Sequence, residues 1–199
     1  MLVVALTGGI GAGKSSASAL LEGKGAVLVD ADRVTRELQR AGESGFAAMV
    51  ETFGDEILGP DGELDRPKIA AMVFADKDKL TELNLIMFPL IGQAINERIL
   101  ANADTDNIVL LDIPLLGASG TAYEVKGTIV VDCPVEVAID RLVNARGMDR
   151  EDAARRIAAQ ITREERLELA DFVIDNSGTP DDLLLAVDSC WAWIGSLQP

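Results

Sequence analysis

The chain has 199 residues, room for one domain or one domain with an inserted subdomain at roughly 150 residues per domain. Its 18 basic and 33 acidic residues leave a formal charge of −15, which argues against general nucleic-acid binding and against an anionic membrane surface. It has no histidine, which removes Ser-His-Asp and Cys-His catalysis, and its two cysteines, Cys133 and Cys190, lack metal-site spacing.

Leu2 to Leu6 is a short apolar run ending in Thr7-Gly8-Gly9, the pattern of a buried parallel strand. A helix is expected from Lys14 to Leu21, closed by Gly23 and Gly25, and a second apolar run follows over 26–29. From Arg33 to about Asn102 no buried strand is evident. Helices are expected there over Gly45–Phe53, from near Pro67, and from Asp78 to Ala101 with an interruption at Pro89. Strands resume at Asn107–Leu111 and Thr128–Val131, each followed by an aspartate. Pro134 opens a helix to about Asn144, one charged helix is expected over Asp149–Glu168, and Phe172–Ile174 precedes a final helix from Pro180. Five short apolar strands separated by helices predict an α/β fold with a parallel sheet.

Residues 8–15, Gly-Gly-Ile-Gly-Ala-Gly-Lys-Ser, satisfy the phosphate-loop pattern between a strand and a helix. Glycines let backbone N–H groups turn toward a polyphosphate, and the helix N-terminus adds a favourable dipole. Gly8, Gly11, Ala12, Gly13, Ser15 and Ser16 are candidate nucleotide contacts. Lys14 can reach the β- and γ-phosphates, and the Ser15 hydroxyl can ligate Mg²⁺. No Asn-Lys-x-Asp motif for guanine is present, so a small ATP-dependent kinase fits better than a GTPase.

Asp32, in Val29-Asp-Ala-Asp32, is the candidate general base, at the carboxyl edge of the sheet where α/β ligands bind. Asp30 could assist it, and either aspartate could instead cap the next helix. Asp112 ends a strand of four apolar residues, a pattern suited to holding Mg²⁺. Seven arginines and five acids fall in 141–166, which therefore nets +2 while the rest of the chain carries −17. Arg156, Gln160 and Arg163 share a helix face by i, i+4, i+7 spacing, as in a lid that neutralises a transferring phosphoryl group; a solvated helix with internal ion pairs is the plainer reading.

These segments resemble the dephospho-CoA kinase family over essentially the full length. The motifs are Leu6–Ser15, Val29–Asp32, Phe53-Gly-Asp-Glu-Ile57, Asp61–Arg66, Asp112-Ile-Pro-Leu-Leu116, Arg155–Gln160 and Ala170–Asn176. The resemblance implies a three-layer P-loop kinase core with a five-stranded sheet over 1–32 and 105–199. It also implies a helical CoA-binding insertion over 33–104 and a lid near 146–166. ATP and dephospho-CoA would be the substrates and Mg²⁺ the metal, in a cytoplasmic protein that is a monomer or a weak homo-oligomer. Asp32 aligns with the family's general base, and Lys14, Arg141 and Arg146 with phosphate-stabilising positions. Arg66, Phe88, Pro114 and Leu115 fall at acceptor-binding positions. The family usually has histidine where this chain has Phe88, and glutamate where it has Ala118. A kinase for another nucleoside or small alcohol, and a non-catalytic ATP- or CoA-binding protein, remain alternatives.

Overall fold

The computed structural model describes residues 1–113 and 123–197. They divide into two compact units, residues 1–29 with 102–199, and residues 30–101.

The first unit is built on a five-stranded sheet. Its strands are β1 (Leu2–Gly8), β2 (Val27–Asp30), β3 (Ile108–Asp112), β4 (Thr128–Asp132) and β5 (Phe172–Asp175), in the order β2-β3-β1-β4-β5. β1 runs parallel to both β3 and β4, and β4 parallel to β5. Central strands buried on both faces read as continuous apolar runs, and all seven residues of β1 are buried. One face, with Val4, Leu6, Leu110, Ile129 and Val131, packs against α1 (Lys14–Gly23) and α9 (Pro180–Ser196) through Leu21, Val187 and Ile194. The alternate residues Val3, Ala5, Val109, Leu111 and Val130 are buried on the other face. Trp191 and Trp193 both pack against the first core, and Trp193 lies 5.2 Å from the Phe172 ring at 34°.

The helix expected over Asp149–Glu168 is in fact two. After α6 (Val135–Arg146) come α7 (Arg150–Ala158) and α8 (Arg163–Glu168). The break comes from Thr162, whose hydroxyl accepts from the Glu165 amide at 3.1 Å while the Glu165 carboxylate accepts from the Thr162 amide at 2.8 Å. This reciprocal cap starts a new helix at Arg163, so Arg156, Gln160 and Arg163 do not share one helical face.

The second unit is helical: α2 (Ala31–Leu38), α3 (Ser44–Phe53), a 3-10 turn (Asp55–Ile57), α4 (Arg66–Ala75) and α5 (Lys77–Leu100). Its core is formed by Met49, Phe53, Ile57, Ile69, Val73 and Met87. α5 runs through Pro89 without interruption. A proline removes one intrahelical amide and crowds the carbonyl four residues back; here both Pro89 and Leu85 are exposed, so water can satisfy that carbonyl. No described helix is long and apolar enough to cross a membrane.

Candidate functional site

The phosphate loop joins β1 to α1, and its conformation depends on what packs around it. Gly13 has φ +89°, a left-handed conformation that disfavours a side chain. A methyl group there would also overlap the Asn176 amide, whose Nδ2 donates to the Ala12 carbonyl at 2.8 Å. Arg141, on α6, reaches the same carbonyl from Nη1 at 3.5 Å. At the other end of the loop the Ile10 amide donates to Gln160 Oε1 at 3.0 Å. A methyl group on Gly9 would lie 2.8 Å from Arg166 Nη1. Thus residues far along the chain hold the loop at both ends.

Lys14, the first residue of α1, forms an ion pair with Asp112 at the end of β3. Asp112 is 4% exposed, so a cationic neighbour offsets much of the cost of burying its charge. Ser15 and Ser16 follow in the first turn of α1 and are exposed. Ser15 and Asp112 are the hard oxygen donors beside the loop, which suits Mg²⁺. No cluster of three or more His, Cys, Asp or Glu among the described residues forms a metal cage. Mg²⁺ commonly takes one or two protein oxygens and completes its octahedron with phosphate and water, so this sparse donor set fits.

Among the described residues, a cavity lies at each end of the loop. One, of about 530 Å³, opens beside Gly13 and Ser16 and is walled by Leu20, Arg141, Asn176, Pro180, Leu183 and Leu184. The other, of about 370 Å³, lies beside Gly9 and Ile10, against Asp132, Cys133, Ala138, Ile157 and Arg166. Arg163 closes on Asp132 through Nε at 3.0 Å to both carboxylate oxygens and Nη2 at 2.6 Å. That pairing raises the Arg163 guanidinium above its ordinary value. Arg166 is half-buried, its Nη2 donates to the Ile161 carbonyl at 2.9 Å, and burial pushes its pKa down against a weaker upward pull from Asp132. Burial likewise pushes the Cys133 thiol up.

Around the loop, therefore, Lys14 meets Asp112 and Arg141 meets the loop's backbone. Arg146 is exposed in the last turn of α6. In the helical unit, Asp32 is exposed in the first turn of α2, two residues beyond the end of β2. The helix cap is Asp30, whose carboxylate accepts from the Arg33 amide at 3.0 Å. Arg66 begins α4 and is exposed, and Phe88 on α5 is 65% exposed. Pro114, Leu115 and Ala118 lie outside the described residues. Sequence reasoning did not assign contacts to Asp132, Gln160 or Asn176. The signal for Asp132 was its place at a strand end like that of Asp112; nothing local marks the partners of Gln160 and Asn176, 150 and 164 residues away.

The dephospho-CoA kinase sequence profile matches residues 2–182. The chain belongs to the dephospho-CoA kinase family. It is 51% identical over 192 residues to a Dephospho-CoA kinase of Streptomyces avermitilis, covering 96% of this chain and 93% of that one. It is 44% identical to a Dephospho-CoA kinase of Thermobifida fusca, covering 96% and 95%. Among solved structures, TT1252 from Thermus thermophilus superposes with TM-score 0.81 at 30% identity, covering 96% of this chain and 97% of that one. Shikimate kinase from Bacteroides thetaiotaomicron shares the fold with TM-score 0.51 at 14% identity, covering 98% of each chain. The five-stranded parallel core is thus the α/β fold of P-loop kinases, and this family member is a phosphotransferase.

Proposed function

We propose that this protein transfers the γ-phosphoryl group of ATP to the ribose 3′-hydroxyl of dephospho-CoA, giving CoA and ADP. The observation that carries this reading is the family match over residues 2–182 of a chain whose phosphate loop retains Lys14 beside Asp112. Phosphoryl transfer demands positioning and charge neutralisation more than covalent chemistry from the protein. The loop amides and the α1 N-terminus would cradle the phosphates. The apolar cavity beside Ser16 and Leu20 suits the nucleobase, with the Arg141 guanidinium at its wall. Lys14 would exchange its Asp112 partner for phosphate oxygens. Ser15 and Asp112 would hold Mg²⁺, which would supply charge neutralisation to the polyphosphate. Asp32 would accept the proton of the attacking hydroxyl, its exposed carboxylate being free of any ion pair among the described residues.

The helical unit would hold the acceptor, with Arg66 and Phe88 among its contacts, and residues 146–166 would serve as the lid. ATP use and the free thiols Cys133 and Cys190 support a reduced, cytoplasmic setting. The test is direct: incubate the protein with ATP, Mg²⁺ and dephospho-CoA, and follow ADP and CoA. Stoichiometric formation of both is expected. Turnover of another alcohol but not of dephospho-CoA would overturn the acceptor, and ATP binding with no turnover would favour a sensor.

A further inference from the structure

We infer that Arg166 is the arginine that contacts the terminal phosphoryl group, and that Arg163 and Gln160 hold it in position. The inference deepens the nucleotide reading above and rests on it. The segment 141–166 holds seven arginines, and charge alone does not say which of them meets phosphate. Geometry does. Arg155 and Arg156 lie on the exposed side of α7 and both pair with Asp152. Arg150 bridges Glu136 and Asp140 on α6. Arg163 is committed to Asp132. Arg146 is exposed at the end of α6, and Arg141, half-buried, sits at the Gly13 end of the loop against the Ala12 carbonyl. Arg166 is likewise half-buried with no carboxylate within ion-pair distance among the described residues, but it lies at the opposite end of the loop. Its guanidinium lies against Gly9, where the absence of a side chain leaves room for it.

A guanidinium stays charged even when partly desolvated, so a half-buried one with no carboxylate partner favours an anion beside it. The loop's own layout says which. The apolar cavity suited to the base lies at the Gly13–Ser16 end, and Arg166 lies at the Gly9–Ile10 end. A polyphosphate running along the loop from the first to the second presents its terminal phosphoryl group to Arg166. Two contacts fix that placement. Gln160 Oε1 takes the Ile10 amide at 3.0 Å, and Arg163 grips Asp132 at the end of β4, three residues from Arg166 on α8. Arg163 and Gln160 are therefore positioning residues, whereas Arg166 touches substrate.

The decisive experiment compares ATP with ADP, by calorimetry on the full chain with Mg²⁺, for wild type, Arg166→Ala, Arg166→Lys and Arg163→Ala. Arg166→Ala is expected to weaken ATP about tenfold or more while leaving ADP nearly unchanged. In turnover it is expected to lower kcat by about 10²–10³-fold, the scale for one donor to a transition-state charge. Arg166→Lys keeps the charge but not the planar fork, and is expected to recover only part of either loss. Arg163→Ala is expected to lower kcat less than Arg166→Ala and to leave ADP binding intact. Equal weakening of ATP and ADP by Arg166→Ala, or of neither with kcat within about threefold, would overturn the assignment. Because the binding comparison needs no acceptor, failure of wild type to phosphorylate dephospho-CoA would overturn the acceptor reading and leave this test standing.

Discussion

The two units differ in how far they are built before any substrate arrives. In the sheet unit, contacts between residues 98 to 164 positions apart converge on one short loop: Ile10 with Gln160, Ala12 with Asn176, Lys14 with Asp112. In the helical unit the polar ties are mostly local caps and i,i+4 pairs, with Arg98–Glu37 at 2.6 Å as a longer one. Arg33 and Arg98 together pull the Glu37 carboxyl below its ordinary value. The helical unit also leaves Phe74, Leu85, Phe88 and Leu100 exposed. Rigid positioning suits the charge neutralisation of a polyphosphate, whose geometry is the same at every turnover. Exposed apolar side chains on helices suit a bulky, partly apolar acceptor. Under the proposed function, the difference teaches that the two substrates would meet different kinds of site, one preorganised by long-range bonds and one offering adaptable surface.

The sharpest division is between binding and chemistry. Asp32→Asn takes away the proposed base and nothing from the phosphate loop, so kcat is expected to fall by about 10²–10⁴-fold. ATP affinity, followed by calorimetry, should remain at the wild-type value. Unchanged kcat would remove Asp32 as the base.

Next comes core packing. Met49 is fully buried in the helical unit. Met49→Ala is expected to cost about 2–5 kcal/mol of stability in denaturant unfolding, the range for such core truncations. It should raise KM for dephospho-CoA more than KM for ATP. Equal rises would show that the two units are not separable in function.

The sheet unit is tested at Asn176, which is buried and donates to a carbonyl of the phosphate loop. Asn176→Ala leaves that carbonyl short of a donor, at a cost of about 1–3 kcal/mol. In a chain of this size, melting should fall by roughly 2–4 °C per kcal/mol. Here KM for ATP should rise and KM for dephospho-CoA should stay put, the reverse of Met49→Ala.

What the sequence discloses follows the range of the interaction. β1, the phosphate loop and α1 are local: an apolar run, glycines and a Lys-Ser pair within fifteen residues specify them. The strand-end aspartates Asp112 and Asp132 are also local, but their partners Lys14 and Arg163 are not. The split between α7 and α8 was legible in Thr162-Arg-Glu-Glu165, a capping-box pattern, yet the arginine periodicity around it suggests a single helix. Pro89 errs the other way: the residue type signals a break, and only exposure of the affected turn reveals why α5 continues. That no carboxylate lies within ion-pair distance of Arg166 among the described residues is a property of the fold, since Glu164, Glu165 and Glu168 are all within two residues of it in sequence.

The smallest expected effect bears most directly on the adaptable surface. Phe88, at a position where the family resemblance implies histidine, has a largely exposed ring. If the proposed acceptor contact holds, stacking of this ring on a flat, apolar part of the acceptor would be worth about 0.5–1.5 kcal/mol, by analogy with aromatic pairs. Phe88→Ala should therefore raise KM for dephospho-CoA by about two- to tenfold. Stability should shift by less than about 0.5 kcal/mol, as for other exposed positions, and KM for ATP should not change. Phe88→His restores the usual family residue, so it separates a lost ring from a lost hydrogen-bonding group. If histidine improves KM beyond that of Phe88, the phenylalanine is a handicap; if histidine behaves like alanine, this chain has exchanged a polar contact for an apolar one.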